Sequence, residues 1–73
     1  MQISARNTLR GRVTSLKLGD VEAEVTLRIE GGAEITATIT RASAERLGLA
    51  EGREAYAVVK ASDVMVAVDD PGR

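Results

Sequence analysis

The chain has 73 residues, 44% of them apolar, and its 10 basic and 11 acidic side chains give a net charge of −1. It contains no Phe, Trp, Cys or His and a single Tyr, which excludes disulfides, thiol chemistry, soft transition-metal sites and the usual Ser-His or Cys-His catalysis. The balanced charge disfavours nucleic-acid binding, and no apolar run is long enough to predict a signal peptide or a membrane span. We therefore expect one small cytoplasmic domain with a single core.

Three strands are predicted in the first half of the chain. The first, over residues 8–18, alternates imperfectly, and its Gly11 predicts a bulge or a bend. Residues 21–29 and 33–40 alternate without a break on either side of Gly31-Gly32, a pair that tolerates positive φ, so they predict a hairpin. The apolar face of this hairpin consists of Val21, Ala23, Val25, Leu27, Ile29, Ala33, Ile35, Ala37 and Ile39.

A short helix is predicted after the hairpin, where the apolar period changes. Residues 41–47 are rich in helix formers, and either Thr40 or Ser43 is suited to cap the first turn. Gly48 stands where a left-handed C-terminal cap belongs, so the helix is expected to have about two turns.

Two further strands are expected over residues 54–60 and 64–68. Tyr56 is interpreted as the largest packing residue of the core and Met65 as a core filler. The order strand, strand, strand, helix, strand, strand is typical of a mainly β protein, a five-stranded OB-like Greek-key barrel with one short helix between strands three and four. An SH3-like barrel is the nearest rival, but it would normally have only a 3₁₀ turn in place of the helix.

The expected domain spans residues 1–68, and residues 69–73 are expected to form a frayed tail. A domain this small, with an aliphatic core and neither a disulfide nor a metal to support it, is expected to be marginally stable alone. Its short strands would also leave edges that another chain can cover. We therefore expect a homo-oligomer.

Two segments outside the strand interiors combine hydroxyl groups with a cation, and together they are suited to a small tetrahedral oxyanion. They are residues 4–7, with Ser4 and Arg6, and residues 60–63, with Lys60 and Ser62. Such a dianion needs several hydrogen-bond donors and partial charge compensation. Composition and spacing alone favour the other interpretation, in which Arg6 and Lys60 are solvated strand-end charges and Ser62-Asp63 is a turn that satisfies its own backbone. A metal site among Glu22, Glu24, Glu30 and Glu34 is less favoured than a solvated hairpin face.

The sequence also resembles a known family at four collinear places. Residues 4–13, SARNTLRGRV, resemble the opening "SARN-x-L-x-G-x-V" of the molbindin (Mop) family of molybdate-binding proteins, and residues 60–66, KASDVMV, resemble its "KASDVM-x" segment. Gly31-Gly32 and residues 47–52 fall at the family's spacing as well. The resemblance extends over about residues 2–68.

This resemblance implies an OB-like domain that binds molybdate, and often tungstate, at subunit interfaces of a hexamer built as a trimer of dimers. It implies a first class of site whose residues carry over by position, with Asn7 and Ala61 donating backbone N–H groups and Thr40 reaching the site from a neighbouring subunit. A second class of site on the threefold axis is implied without assignable residues. The implied molybdate-binding residues are Ser4, Arg6, Asn7, Thr40, Lys60, Ala61 and Ser62.

The function predicted from the sequence is storage or homeostasis of molybdate or tungstate inside the cell, without catalysis. Hydrogen bonds would hold the dianion, and no metal–protein bond would form, because molybdenum arrives already surrounded by its four oxygens. The alternative is a regulatory or interaction module whose assembly state is set by the bound oxyanion. Oligonucleotide binding is disfavoured because Tyr56 is the only aromatic residue on which a base could stack. Neither nucleic acid nor a membrane is therefore expected as a partner.

Overall fold

The structure is a computed structural model that describes residues 6–70. Its four antiparallel strands form one curled sheet in the order β3-β2-β1-β4. The predicted mainly β, OB-like architecture with one helix after the third strand is confirmed, although four strands are present where five were expected. The elements are β1 (Asn7–Leu18), β2 (Glu22–Ile29), β3 (Glu34–Thr40), helix α1 (Arg41–Arg46), β4 (Glu54–Val59) and a 3₁₀ turn (Ala61–Asp63).

The predicted β2–β3 hairpin is confirmed. Gly31 and Gly32 adopt φ values of 98° and 103°, which residues with a Cβ rarely accept. The alternation places one face of β2 in the core, whereas Val21, expected to be the first apolar position, precedes the strand and is 73% exposed. The buried apolar residues are Val13, Ala23, Val25, Leu27, Ile29, Ala44 and Ala57.

Gly11 does not form the predicted bulge. The register of β1 against β2 shifts between Val13 and Ser15 instead. Gly11 is needed for a close approach of the two strands, because a Cβ at this position would lie 2.4 Å from the carbonyl oxygen of Arg28. The glycine signal in the sequence was therefore real, but its physical cause is packing between neighbouring backbones.

Helix α1 is capped as the sequence predicts. Thr40 is the N-cap, and its Oγ1 accepts a hydrogen bond from the Ser43 N–H at 3.0 Å. Gly48 has φ 65° and follows the helix, as expected for a left-handed C-terminal cap. The helix ends at Arg46, one residue earlier than predicted.

The interpretation of Tyr56 as a core residue was wrong. In an antiparallel ladder, directly paired residues share a face of the sheet. Tyr56 pairs with the exposed Arg10, whereas its neighbours Ala55 and Ala57 pair with Gly11 and Leu9 of the inner face. Tyr56 is therefore 50% exposed, and the smaller alanines fill the core.

The predicted fifth strand over residues 64–68 is also wrong for this single chain. After the 3₁₀ turn, residues 64–70 have no regular secondary structure, because no strand within residues 6–70 is paired with them. Met65, expected in the core, is 95% exposed, and Val66 and Val68 are each 87% exposed. We call residues 64–70 the C-terminal arm.

The remaining organisational predictions are only partly covered by the described residues. Ser4 lies outside residues 6–70. The division into a domain over 1–68 and a frayed tail over 69–73 stays a prediction. Within residues 6–70, no helix is both long and apolar enough to cross a membrane.

Candidate oxyanion-binding site

The β1–β4 ladder brings Arg6 and Asn7 of the first predicted anion-binding segment and residues 60–63 of the second to one end of the sheet. Asn7, the first residue of β1, pairs with Val59, the last residue of β4. Because the strands are antiparallel, Arg6 precedes the ladder at the same end at which Lys60 follows it. Asn7 and Val59, which are 52 positions apart in sequence, are thus neighbours in the fold.

The turn after β4 presents free backbone donors beside these cations. Lys60 is extended, with φ −64° and ψ 138°, and the chain then tightens into the 3₁₀ turn. The turn is closed by bonds from Asp63 N–H to the Lys60 carbonyl at 2.9 Å and from Val64 N–H to the Ala61 carbonyl at 3.3 Å. The N–H groups of Ala61 and Ser62, at the start of the turn, donate to no acceptor within residues 6–70.

The charges at this end of the ladder are not compensated within the described chain. Arg6, Lys60 and Ser62 are all exposed. Neither Arg6 nor Lys60 forms an ion pair with another residue of the range 6–70. Two cations, a hydroxyl and two free N–H groups together supply the charge and donors that a tetrahedral dianion requires.

Thr40 is not brought to this group by the fold of one chain. It pairs with Glu22 at the start of β2, next to the Leu18 end of β1, whereas Asn7 is at the opposite end of that strand. Its hydroxyl is engaged in capping α1 and also donates to Ser43 Oγ at 2.8 Å. If Thr40 contacts an anion held by Arg6 and Lys60, it does so from another subunit.

A cleft of about 610 Å³ elsewhere on the sheet does not have the character of an anion site. It lies around Arg10, Arg12 and Arg28, at the other end of the β1–β4 ladder. Arg10 contacts Glu54 at 2.8 Å and Glu30 at 3.8 Å, so its charge is largely compensated. The hydrogen bond and charge of Glu54 raise the pKa of the Arg10 guanidinium above its usual value.

Arg28, which also lines this cleft, forms an ion pair with Glu34 at 3.4 Å. The preference for a solvated hairpin face over a metal site stays a prediction. In the part of the chain that the structure describes, His, Cys, Asp and Glu side chains do not cluster in threes in a way that could hold a metal ion.

Sequence reasoning missed the side chain of Asn7. The resemblance implied only a backbone N–H at this position. In the structure, the half-buried side chain donates from Nδ2 to the Val59 carbonyl at 3.2 Å, across the end of the ladder. The only available signal was a residue with a side-chain donor at the predicted start of a strand.

Comparisons with known proteins agree with this arrangement. Residues 3–66 match the family model of the TOBE domain. "Molybdenum-pterin-binding protein 2" of Clostridium pasteurianum is 56% identical over 66 residues, which are 90% of this chain and 97% of that protein.

Solved structures share both the fold and much of the sequence. MopII from Clostridium pasteurianum superposes with a TM-score of 0.86 at 54% identity, over 92% of this chain and 100% of that one. A crystal structure of ModG, described as a cytoplasmic molybdate-binding protein and solved with molybdate bound, superposes with a TM-score of 0.85 at 48% identity, over 89% of this chain and 46% of that one. The chain therefore belongs to the TOBE-domain family and, within it, to the molbindin (Mop) proteins.

Proposed function

We propose that this protein binds molybdate, and also tungstate, as a cytoplasmic storage or homeostasis protein, and that it catalyses no reaction. The observation that carries the proposal is the meeting of Arg6 and Asn7 with residues 60–62 at one end of the β1–β4 ladder. ModG, a relative with this fold, has been solved with molybdate bound. The regulatory alternative is not favoured, because the relatives named above are described as binding proteins.

In the proposed site, Arg6 and Lys60 compensate the charge of the dianion, and Ser62 and the N–H of Ala61 donate hydrogen bonds to its oxygens. Ser4 and Asn7 belong to the same site, and Thr40 completes it from a neighbouring subunit. The molybdenum keeps its four oxygens throughout, so recognition depends on donors and cations, and no side chain replaces an oxygen.

We further propose that the sites lie between subunits of a homo-oligomer, a hexamer built as a trimer of dimers. The chain exposes 5874 Å² of surface, whereas a compact monomer of its 7.7 kDa exposes about 4,300 Å². The Cα radius of gyration of 14.3 Å likewise exceeds the roughly 11 Å expected for a compact chain of this length. The excess of about 1,600 Å² on one chain is roughly twice the ~800 Å² that each partner contributes to a standard interface, so it is enough for two such interfaces.

The exposed surface includes two open sheet edges, an apolar groove and the C-terminal arm, and these features suit association with a second copy of the chain. Strands β3 and β4 are the two edges of the sheet, and an apolar groove of about 340 Å³ has Ile39 of β3 and Val58 of β4 among its lining residues. The C-terminal arm carries three exposed valines beside Met65. An apolar arm and an apolar groove between open edges are complementary in chemistry.

Calorimetric titration with molybdate, tungstate, sulfate and phosphate in parallel tests the binding proposal. We expect saturable binding of the first two ions and a binding affinity at least tenfold weaker for Arg6→Ala and Lys60→Ala, because each variant loses a charge-assisted donor worth about 1.5–3 kcal/mol. Lys17→Ala is the matched control, since Lys17 is an exposed cation at the other end of β1. Parent-like binding by both site variants would place the site elsewhere.

Light scattering after size exclusion tests the assembly proposal. We expect a mass near six chains that resists dilution better when molybdate is present, because a ligand bound between subunits stabilises their association. A monomer that binds molybdate with the affinity of the assembled protein would contradict the interface model while leaving the ligand assignment intact.

A further inference from the structure

We infer that the Asn7 side chain is a positioning residue for the oxyanion site, an inference that rests on the proposed function. Its Nδ2 donates to the Val59 carbonyl at 3.2 Å and so joins the first residue of β1 to the last residue of β4. Arg6 directly precedes Asn7 and Lys60 directly follows Val59, so both cations lie next to the pair that this bond joins. The bond therefore fixes the spacing between the two segments that supply the proposed donors.

The Asn7 side-chain bond differs from the other bonds between β1 and β4 because it lies at the end of their ladder. The ladder stops at Asn7 and Val59, and neither Arg6 nor Lys60 belongs to a strand. Ladder ends open more readily than ladder centres, because fewer neighbouring hydrogen bonds hold them. A side-chain bond at the last pair resists this opening at the point from which the anion-binding segments extend.

The burial of Asn7 supports the same role. Asn7 is half-buried, whereas Arg6 and Lys60 beside it are exposed. A shielded amide bond is less easily replaced by water than an exposed one, so it holds its geometry better. The cations themselves have no ion pair within residues 6–70, so they contribute nothing comparable to holding the two segments together.

The same ladder contains a matched control at its opposite end. Arg12 Nη1 donates to the Gly52 carbonyl at 2.8 Å, which also joins β1 to the segment that leads into β4. Arg12 is five residues from Asn7 along β1, about 17 Å at the rise of a strand. At physiological ionic strength, loss of its charge is largely screened over this distance.

The test compares Asn7→Ala with Arg12→Ala in two measurements. The first is hydrogen exchange, in the ligand-free protein, of the Asp63 and Val64 amides, which donate the two hydrogen bonds that close the turn, and this measurement is independent of any ligand. We expect faster exchange there in Asn7→Ala only. The second is molybdate titration, in which we expect Asn7→Ala to bind roughly threefold to tenfold more weakly, as for loss of one neutral hydrogen bond, and Arg12→Ala to bind like the parent.

A second variant keeps the test decisive if Asn7→Ala does not fold. Asn7→Gln retains the amide donor on a longer side chain, so exchange and affinity between those of the parent and of the alanine variant are expected. Unchanged exchange and affinity in the Asn7 variants, or equal losses in Asn7→Ala and Arg12→Ala, would overturn the inference. Absence of molybdate binding by the parent protein would instead overturn the proposed function, and the exchange measurement would still show whether the bond orders the turn.

Discussion

Thr40 has two assigned roles, as the N-cap of α1 in the structure and as a proposed ligand of an anion held by another subunit, and substitution separates them. Thr40→Ala removes the acceptor of the 3.0 Å bond from Ser43 N–H. Loss of a cap of this kind costs about 1 kcal/mol, within a range of about 0.5–2. For a domain of this size, about 1 kcal/mol lowers the melting temperature by roughly 4–8 °C.

Thr40→Asp keeps the cap and changes the charge. Aspartate caps helices at least as well as threonine, and its charge is favourable at a helix N-terminus by about 0.3–1 kcal/mol. Repulsion from Glu22, which pairs with Thr40 across the ladder, offsets this gain by a similar amount. Thr40→Asp is therefore expected to melt close to the parent temperature.

Molybdate affinity is expected to rank the two variants in the opposite order to melting temperature. Thr40→Asp should melt higher than Thr40→Ala but bind molybdate more weakly. A carboxylate placed against a dianion removes a donor and adds repulsion, so Thr40→Asp is expected to bind molybdate at least tenfold more weakly than the parent, a loss of about 1.4 kcal/mol or more. Thermal melts of the ligand-free proteins and calorimetric titration provide the two measurements. If Thr40→Asp binds molybdate as tightly as the parent, Thr40 is a cap alone, and its place in the proposed site is wrong.

Three further predictions concern the strand contact at Gly11, the pH dependence and the arm. Gly11→Ala should destabilise the fold by about 1–3 kcal/mol, because the new Cβ would lie 2.4 Å from the Arg28 carbonyl oxygen. Gly31→Ala should destabilise it less, because Gly31 has positive φ but open space around it, and equal melting temperatures of the two variants would contradict this. The free energy of unfolding should be constant between about pH 5.5 and 7.5, because the chain has no His that would titrate in this range. The pKa of Arg10 is raised, so the stability that its ion pairs contribute is lost only in strongly alkaline solution. A step in the chemical denaturation midpoint between these pH values would contradict the prediction. Val66→Glu should lower the mass of the assembly in light scattering without changing the circular dichroism, because Val66 is 87% exposed in the single chain; an unchanged mass would exclude this residue from the interface.

The sequence predicted best those elements whose causes are local. The β2–β3 hairpin depends on strict alternation and on two glycines with positive φ, and the cap of α1 depends on Thr40 and the residues that follow it. Both signals lie within a few residues of the structure that they produce. The placement of Arg6 and Lys60 at one end of the sheet depends instead on the long-range pairing of β1 with β4, and before the structure only the resemblance implied that the two residues belong to one site.

The errors arose where the cause lies in another part of the chain. Strand β4 is apolar on both faces, so its own pattern does not decide whether Tyr56 or Ala57 is buried; the pairing of Ala57 with Leu9 decides it. The apolar, valine-rich run over residues 64–68 indicates a segment able to form a strand, but a strand also needs a free edge within its reach. The Asn7 side-chain bond depends on the same long-range register and was invisible to local reasoning.

Under the proposed association of identical chains, the exposed valines of the arm and the incomplete donor set have a common explanation. The arm begins at residue 64, directly after the turn that holds Lys60, Ala61 and Ser62. Docking of the arm on a second chain would therefore fix the direction in which this turn leaves β4, and with it the positions of the donors. Conversely, an anion bound to the turn would restrict the arm before docking. By linkage, each event favours the other to the same extent, and a ligand at a hundredfold excess over its Kd would stabilise the assembled form by about 2.7 kcal/mol.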